Sequence, residues 1–451
     1  MGLEMRLIHV KEIVIGFFLG MVALPGIPAQ AAAPMPTVDR LHNGLTIITV
    51  ENIDSPVAAL DIWIRHGSAD DPKGASGTAH LLEHMLFKGS TARSRAEMDG
   101  IVKAMGGYNN GATSLDFTHY YISVPSDRAE EALALLAEAV LTPCLDPADL
   151  DGERQVVMEE IRRKADDPFG NLFETCLSDL FSGTSYGRTT LGTVSDLRAV
   201  DMKALKNYYQ SFYRPEEMAL VATGGIKRDR IIKMAEQLFG QTGTGNREGR
   251  GRLVDSVDIT SMTTGKRLTL PMAVNQAYII VACPVPGFTG GKSSRDIYAL
   301  DVLAAVLGQG KASRLYKTLR EQKGLASEVG AFNMTLNRAG LMVAYAVVHP
   351  QDVKRVEEEL RRMLIEHDAP DMAEMSRAKA LIRRDYIFSC EGAVATAGLY
   401  GRNWVSGQTG ADSYLQRIAE IKPEDIKDAV ARYLTTDKLC IYTVMPQGGQ
   451  K

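Results

Sequence analysis

Hydrophobic and polar residues alternate at two places in the chain, residues 58–65 and residues 277–283. This period of two is typical of a half-buried β-strand. Two comparable strand-like segments, residues 218–223 and residues 439–444, lie further along the chain. The pattern therefore predicts two successive stretches that each open and close on a strand.

Helical patterns lie between these predicted strands. Residues 79–87 contain no Gly, Pro or β-branched residue, and the sequence Ser-Gly-Thr at residues 76–78 favours the start of a helix. The second stretch has helical patterns at residues 297–307 and then at residues 315–320. Each stretch is thus predicted to pass from its opening strand through a turn into a long helix.

A break in composition separates the two stretches. Residues 241–252 are rich in Gly and charge and poor in apolar residues, which is typical of a linker. The similar plan on both sides indicates a diverged internal duplication. Hairpin-like strand pairs with helices grouped between them favour an α+β fold over a Rossmann-type sheet. We predict an N-terminal α+β domain at residues 32–241, a linker at 242–252 and a C-terminal α+β domain at 253–451.

Composition narrows the class of protein. The chain has 451 residues, too many for one ordinary core, and it is 45% hydrophobic and 24% charged, as globular proteins are. Its net charge is −4, and Lys and Arg are spread along the chain, so no nucleic-acid partner is expected. Five scattered cysteines without a Cys-x-x-Cys pair predict buried thiols, and neither a metal site nor a disulfide framework.

The N-terminus has the pattern of a secretory signal peptide. Arg6 and Lys11 precede an apolar run at residues 13–24, and the small-x-small sequence at residues 29–31 is typical of a cleavage site. The run is shorter than the roughly 20 residues that span a bilayer, so a retained anchor is the weaker alternative. We predict cleavage of residues 1–31 after Ala31, a periplasmic or secreted location, and no stable membrane span in the mature form.

Two histidines and a glutamate lie within five residues on the first predicted helix, as His80, Glu83 and His84. Side chains four residues apart share a helix face, so both imidazoles can reach one metal ion. Glu83 flanks that face and can reach a water bound to the ion, as a general base must. The order His-x-x-Glu-His is the inverse of a known zinc motif. The alternative is a helix with two chance histidines in a chain that has only 8 His.

A catalytic zinc site usually has three protein ligands, so a third is expected elsewhere. The best candidate region is a predicted helix at residues 151–164. Its apolar stripe is predicted to consist of Val156, Val157 and Ile161. Glu153 and Glu160 are seven residues apart, which brings them to within roughly 20° of each other on a helix. If Glu153 faces the metal, Glu160 faces it too and Glu159 does not; the alternative is a solvated row of carboxylates.

The segments at residues 77–89 and 153–161 resemble the pitrilysin/insulinase family of zinc peptidases, especially its mitochondrial-processing-peptidase-like branch. In that family the third ligand is a Glu about 76 residues beyond the second His, and 160 − 84 = 76 selects Glu160. The family's domains are α+β sandwiches, and two-domain chains of this size assemble in pairs around a substrate chamber. The resemblance therefore implies two homologous α+β sandwich domains and a dimer.

The resemblance also implies a role for each residue of the motif. His80, His84 and Glu160 would bind Zn²⁺, Glu83 would act as general base, and Glu153 would be a second acid that supports the site. Zinc lowers the pKa of its bound water, and a general base takes the proton of that water. The implied activity is that of a zinc-dependent endopeptidase acting on peptides or small unfolded proteins.

Residues 105–121 resemble the family segment that enters an edge strand, which pairs with the substrate backbone. Asn110, Ala112 and Thr113 would lie on that strand and bind substrate. Adding a peptide strand to a sheet edge uses main-chain hydrogen bonds for affinity and pockets for selectivity. The alternative for these residues is an ordinary Gly/Asn turn leading into a strand.

Residues 310–329 resemble a family segment in which an Arg and, seven residues later, a Tyr contact the substrate. Arg320 matches the Arg, but Ser327 stands where the family has Tyr. In two-chain members one subunit brings the zinc site and the other brings this pair, so the departure favours a heterodimer over a homodimer. The alternative for Arg320 is a salt bridge at the end of a helix.

The missing Tyr also supports a competing function. A chain with this fold could be a catalytically weak or inactive binding subunit of a heterodimeric peptidase, or a periplasmic holdase. The intact motif at His80, Glu83 and His84 argues against that alternative. Cleavage-site preference depends on pockets that the sequence does not define.

Overall fold

The computed structural model describes residues 35–242, 257–259, 262, 264–289, 294–366, 368–408 and 411–447. The predicted signal peptide and residues 243–252 of the predicted linker lie outside the described residues. Within the described part of the chain, no helix is both long enough and apolar enough to cross a membrane.

Residues 35–242 form the first half, in which strands and helices alternate. In chain order these are β1 (Thr37–Arg40), β2 (Thr46–Glu51), β3 (Val57–Ile64), α1 (Thr78–Leu86), α2 (Arg95–Ala104), β4 (Tyr108–Thr113), β5 (Thr118–Pro125), α3 (Ala129–Leu141), α4 (Pro147–Ala165), α5 (Pro168–Leu180), α6 (Val194–Ala199), α7 (Met202–Phe212), β6 (Met218–Gly224) and α8 (Arg228–Phe239). Short 3-10 turns connect several of them.

The second half follows nearly the same order of elements. Its described residues form β7 (Arg267–Met272), β8 (Ala277–Pro286), α9 (Ser294–Gly308), a π-helix (Tyr316–Gln322), β9 (Ala326–Thr335), β10 (Ala339–Val348), α10 (Val353–Ile365), α11 (Met372–Phe388), α12 (Ala393–Val405), α13 (Ala411–Glu420), α14 (Pro423–Tyr433) and β11 (Cys440–Pro446). The four strands predicted from the sequence are β3, β6, β8 and β11. The pattern at residues 315–320 was predicted as an ordinary helix, but it forms the π-helix.

The described strands of each half form one sheet, with strand order β1-β2-β6-β3-β5-β4 in the first and β7-β11-β8-β10-β9 in the second. In both, the last strand of the half inserts between the first two long strands. β6 runs parallel to β2 and antiparallel to β3, and β11 runs parallel to β7 and antiparallel to β8. Because the order and direction of five strands agree, the prediction of an α+β fold made of two similar domains is confirmed.

The two sheets are covered reciprocally. One face of each sheet packs on helices of its own half. The other face of the first sheet packs on α12 of the second half, where Trp63 of β3 contacts a cluster that includes Tyr400 and Trp404. The other face of the second sheet packs on α5 of the first half, with Leu172 and Cys176 in the shared core. Each half therefore supplies one layer of the other half's sandwich.

The cysteines contribute thiols and no cross-links. All five lie within the described residues and are free. Cys176, Cys283 and Cys440 are buried, as predicted, whereas Cys144 and Cys390 are partly exposed. The prediction of buried thiols is therefore correct for three of the five.

Candidate metal centre and active site

The start of helix α1 is fixed by a buried carboxylate. The backbone N–H groups of Gly77 and Ala79 donate to the two carboxylate oxygens of Asp71, at 2.7 and 2.8 Å. Burial raises the pKa of Asp71 to about 8, although both N–H donors favour the ionised form. Gly77 has φ = +90°, and a Cβ there would lie 2.6 Å from the carbonyl oxygen of Leu191. The position where the histidine-bearing helix begins therefore depends on both Asp71 and Gly77.

Helix α1 and helix α4 bring the two histidines and Glu160 together. One ligand atom from each of His80, His84 and Glu160 lies within 4.8 Å of the others. The Oε2 atom of Glu160 is 3.6 Å from Nε2 of His80 and 3.7 Å from Nε2 of His84. Ligand atoms bound tetrahedrally at 2.0–2.1 Å from zinc are about 3.4 Å apart. The three side chains therefore fit a zinc ion with little movement.

Glu153 binds the far side of one histidine ring. Nδ1 of His84 lies 2.9 Å from Oε2 of Glu153, and Lys88 forms an ion pair with the same carboxylate. Because a carboxylate only accepts hydrogen bonds, Nδ1 carries the proton and Nε2 of a neutral ring is left with a lone pair for a metal. The donors His84 and Lys88 lower the pKa of Glu153 to about 2 against the effect of burial.

The acidic surroundings also act on the ring of His84. Burial disfavours its charged form, but hydrogen bonds to Glu153 and Glu160 and the charge of Glu83 raise the pKa of His84 to about 9. The three carboxylates around the buried ring of His84 therefore favour its protonated, positively charged form. A bound cation can supply that charge in place of a proton.

Glu83 is 4% exposed and lies beside this cluster. Its Oε2 atom accepts a hydrogen bond of 2.7 Å from the hydroxyl of Thr113. Thr113 belongs to β4, so the carboxylate is tied directly to the edge of the first sheet. This contact leaves Oε1 of Glu83 with no described hydrogen bond and fixes the orientation of the side chain.

Strand β4 lies at the edge of the sheet, where its only partner among the described strands is β5. Asn110 and Ala112 pair with Tyr121 and His119, so their side chains point to one face of the sheet. Thr113 points to the other face, towards α1. The structure therefore places all three predicted substrate-binding residues on an edge strand, with only the side chain of Thr113 directed at the cluster.

Arg320 and Ser327 lie in the second half, and none of their described contacts reaches the histidines. Arg320 is exposed, and its guanidinium carbon lies 5.2 Å from the ring centroid of Tyr316. The hydroxyl of Ser327 donates to the carbonyl oxygen of Val347 at 3.1 Å and accepts from Gln276 at 3.0 Å. A role for Arg320 in substrate binding stays a prediction.

A cavity of about 510 Å³ opens beside the cluster. It is lined by Glu83, His84, Phe87, Arg95, Asp99, Val102, Lys103, Gly107, Tyr108, Asn109, Asn110, Glu153 and Val156. Sequence reasoning placed Val156 in the apolar stripe of α4, but Val156 is 44% exposed, whereas Val157 is fully buried. Val156 lies three residues after Glu153 and four before Glu160, on the face that carries the carboxylates.

Sequence reasoning did not identify Asp71, Lys88 or Tyr108. A signal existed for Lys88, because it lies four residues after His84, just beyond the end of α1. Asp71 and Tyr108 have no such local signal, since their contacts depend on how the chain folds back on itself. Asp71 and Lys88 extend the site from the metal ligands to the groups that support them.

Two family models match the chain. The model described as "Insulinase (Peptidase family M16)" matches residues 46–194, and the model described as "Peptidase M16 inactive domain" matches residues 199–382. The first match contains His80, Glu83, His84, Glu153 and Glu160. The boundary between the two matches falls within α6, before the last strand of the first sheet.

Relatives and solved structures extend over most of the chain. An uncharacterised zinc protease of Streptomyces coelicolor is 29% identical over 87% of this chain and 85% of its own length. The zinc protease PqqE of Helicobacter pylori is 26% identical over 90% of this chain and 91% of its own length. A crystal structure of a protease from Helicobacter pylori has a TM-score of 0.83 at 25% identity, covering 92% of this chain and 100% of that one.

A more distant structure shares the fold alone. The peptidase M16 inactive domain from Pseudomonas fluorescens has a TM-score of 0.81 at 17% identity, covering 92% of this chain and 99% of that one. The two-sheet architecture is thus common to proteins whose sequences differ widely from this chain.

Proposed function

Because the chain belongs to the insulinase family of peptidases, family M16, we propose that it is a zinc-dependent endopeptidase that hydrolyses peptides or small unfolded proteins. The observation that carries this proposal is the meeting of His80, His84 and Glu160 at ligand distances, with Glu83 beside them. Relatives named zinc proteases support the choice of metal. A structural zinc site is less suitable, because such sites favour closed, Cys-rich ligand sets.

Glu83, Thr113 and Glu153 have separate roles in the proposed reaction. A bound zinc ion would lower the pKa of a coordinated water and polarise the scissile carbonyl. Glu83 accepts the proton of the attacking water and returns it to the leaving amine, and Thr113 holds Glu83 in position. Glu153 fixes the ring of His84 through Nδ1. Strand β4 offers its open edge to the substrate backbone.

The test is hydrolysis of a mixed library of short unstructured peptides by the purified chain lacking residues 1–31. Zinc content is measured before use, after removal by a chelator and after its return. Cleavage that is lost with zinc and restored by it is the expected result. No cleavage at full zinc occupancy would contradict the proposal that this chain is an active peptidase on its own.

Ser327 favours a second candidate, a binding subunit of a two-chain peptidase. The hydroxyl of Ser327 is taken up by Val347 and Gln276, so it does not replace a tyrosine that reaches a substrate. One lost donor of that kind costs roughly 10²-fold or more in rate. We therefore propose a heterodimer with a related subunit, which mass measurement of the complex purified from its source would test against a homodimer.

We also propose that the chain is exported, on the basis of the signal-like pattern at residues 1–31. The measurement is the N-terminal sequence of the protein recovered from the periplasm or medium, where a start at Ala32 is expected. Recovery of the uncleaved chain from the cytoplasm would contradict this proposal.

A further inference from the structure

Lys88 lies next to the candidate metal centre but outside the candidate ligand set. It follows the end of α1 by two residues, and its backbone N–H donates to the carbonyl oxygen of Met85 at 3.1 Å. The carbonyl oxygen of the next residue, Gly89, accepts from the backbone N–H of Cys144 at 2.9 Å. Hydrogen bonds therefore hold the backbone on both sides of the point from which the lysine side chain extends.

The side chain of Lys88 is only 18% exposed, although lysine is usually a surface residue. Its ammonium group forms an ion pair with Oε1 of Glu153, whose side chain is 9% exposed. Oε2 of the same carboxylate lies 2.9 Å from Nδ1 of His84. Because the two carboxylate oxygens have different partners, Lys88, Glu153 and His84 form a row that ends at the ring of a candidate ligand.

Each contact in this row restricts the next group. Two donors on different oxygens fix the plane of the Glu153 carboxylate, whereas one donor leaves it free to rotate about a single contact. Without Lys88, Oε1 of Glu153 would lose its described partner, and a buried carboxylate oxygen without a partner is costly. The carboxylate would then turn towards water and weaken its hold on Nδ1 of His84. The orientation of Nε2, which lies 3.7 Å from Glu160, therefore depends on the whole row.

The charge of Lys88 and its contact with Glu153 have opposite effects on a bound cation. A lysine close to a metal centre repels the ion, so removal of its charge alone would strengthen zinc binding. Removal of the contact would weaken zinc binding, because residues that orient a ligand contribute to metal affinity. The direction of the change therefore distinguishes a residue that positions a ligand from one that only carries charge.

We propose that Lys88 is a positioning residue of the metal centre, which fixes Glu153 so that Glu153 holds the ring of His84 with Nε2 directed at the zinc ion. This inference rests on the proposed function, in which His84 is a zinc ligand. Lys88 acts through Glu153 and not on the ion or the substrate. Its contribution should therefore disappear when the carboxylate of Glu153 is removed.

The test measures the zinc dissociation constant of the purified chain lacking residues 1–31, by competition with a chromophoric chelator at one fixed pH. Lys88→Met keeps most of the aliphatic stem and removes the ammonium group, so it should weaken zinc binding by about 3- to 10-fold. Lys88→Arg keeps a charged donor for the carboxylate and should restore the affinity to within about 2-fold of the wild type. The visible absorption spectrum of the Co²⁺-loaded protein, which reports ligand geometry, should change in the Met variant and return in the Arg variant.

Lys103→Met is the matched control, because Lys103 is an exposed lysine that lines the cavity beside the metal centre. Loss of its charge should leave the zinc affinity within about 2-fold of the wild type, since salt screens exposed charges. A double-mutant cycle provides a second control, in which Lys88→Met should cause no further loss of affinity in the Glu153→Ala background. The melting temperature of each variant is measured without zinc, so that weaker binding does not reflect unfolding.

Three results would overturn this role of Lys88. Tighter zinc binding by Lys88→Met would show that Lys88 acts on the metal through its charge alone, and unchanged binding would show that Glu153 holds His84 without it. An equal loss in the Glu153→Ala background would show an effect that bypasses Glu153. In each case, zinc-dependent cleavage by the wild-type chain would leave the proposed function intact. A wild-type chain that binds no zinc would instead overturn the proposed function and this role together.

Discussion

The two halves of the molecule share a scaffold and differ in chemistry. In the first half, helix α1 presents Glu83 to Thr113 on the edge strand β4. In the second half, helix α9 presents Asp301 to Asn333 on the edge strand β9, at 2.8 Å, and Asp301 also accepts from Tyr414 at 3.1 Å. Burial raises the pKa of Asp301 to about 6. The same helix-to-edge contact therefore occurs twice, but among the described residues histidines accompany the acid only in the first half.

The difference teaches that the scaffold fixes where a helix meets the edge strand, while a few side chains decide the chemistry there. The second half keeps another role, since α12 covers the first sheet and α5 covers the second. This packing role needs no metal ligand, so the second half contributes to the fold whether or not it binds a metal.

The strongest way to break the comparison is to remove the acid from each half in turn. Glu83→Gln keeps the shape of the side chain and loses its basicity, so turnover is expected to fall by about 10²- to 10⁴-fold with zinc still bound. Asp301→Asn, the matched change in the second half, should leave kcat/KM within about 2-fold of wild type, because the described hydrogen-bond partners of Asp301 are Asn333 and Tyr414, away from the metal ligands. Peptide hydrolysis and elemental analysis are measured together. Near-wild-type rates for Glu83→Gln would refute its role.

A second prediction separates neighbouring carboxylates on α4. Loss of a residue that only supports a ligand weakens metal binding by about 10- to 100-fold. Glu160→Gln removes a candidate ligand itself, so it should weaken zinc binding by more than that. Glu159→Gln is the control, because Glu159 is exposed and pairs with Arg162 at 2.8 Å. Zinc retention during dialysis against a graded chelator is the measurement. Equal retention in the two variants would contradict the assignment of Glu160.

The agreement between sequence and structure has a physical cause at Glu153 and Glu160. Both lie on one helix, so the helical period alone predicts that they share a face with each other and exclude Glu159. Val156 shows the limit of the same reasoning. An apolar residue was expected to face the core, but its face is directed at His84 and a cavity. Periodicity defines which residues share a face, and only tertiary packing decides what that face meets.

Contacts between separate elements show the same limit. The carboxylate of Asp71 accepts a hydrogen bond at the start of α1, and the ring of Tyr108 packs edge to face on Tyr121. No local pattern predicts either contact. The strand pairs and the duplication were predictable because they repeat along the chain. The exchange of α5 and α12 between the halves was not, since both helices carry ordinary amphipathic patterns that do not specify which sheet they cover.

The third prediction tests the packing of α12 on the first sheet. Gly401 of α12 packs directly on the ring of Trp63, and a Cβ at this position would overlap the ring. Gly401→Ala is therefore expected to destabilise the protein by about 1–3 kcal/mol through overpacking. Gly398 lies one turn earlier, and a Cβ there would meet only the flexible end of Arg402 at 3.3 Å. Urea unfolding should show Gly398→Ala to be neutral or stabilising by up to about 1 kcal/mol. Equal destabilisation would contradict close packing specific to Gly401.

The smallest expected effect concerns an ion pair between the two halves. Nη2 of Arg338, in the β9–β10 turn, donates to Oδ1 of Asp70 at 3.1 Å. Oδ2 of Asp70 lies 2.9 Å from Nδ1 of His66. Burial opposes both charges, but His66 and Arg338 lower the pKa of Asp70 below its usual 3.8. Hydrogen bonds to Asp70 and Glu217 raise the pKa of His66 above 6.5, again against burial.

The shifted pKa values of Asp70 and His66 determine how the free energy of unfolding depends on pH. A carboxyl group with a lowered pKa stabilises the fold above its unfolded pKa, and this is lost as pH falls through the folded value. An imidazole with a raised pKa stabilises below its unfolded pKa, and this is lost as pH rises through the folded value. The stabilisation by the Asp70–His66 pair is therefore complete between about pH 4 and pH 6.5 and declines on both sides.

Asp70→Asn should reduce the free energy of unfolding by about 1 kcal/mol within that pH range and by less outside it. Urea unfolding of both proteins across this pH range would measure the difference, and a constant difference at every pH would show that Asp70 acts through packing instead of charge.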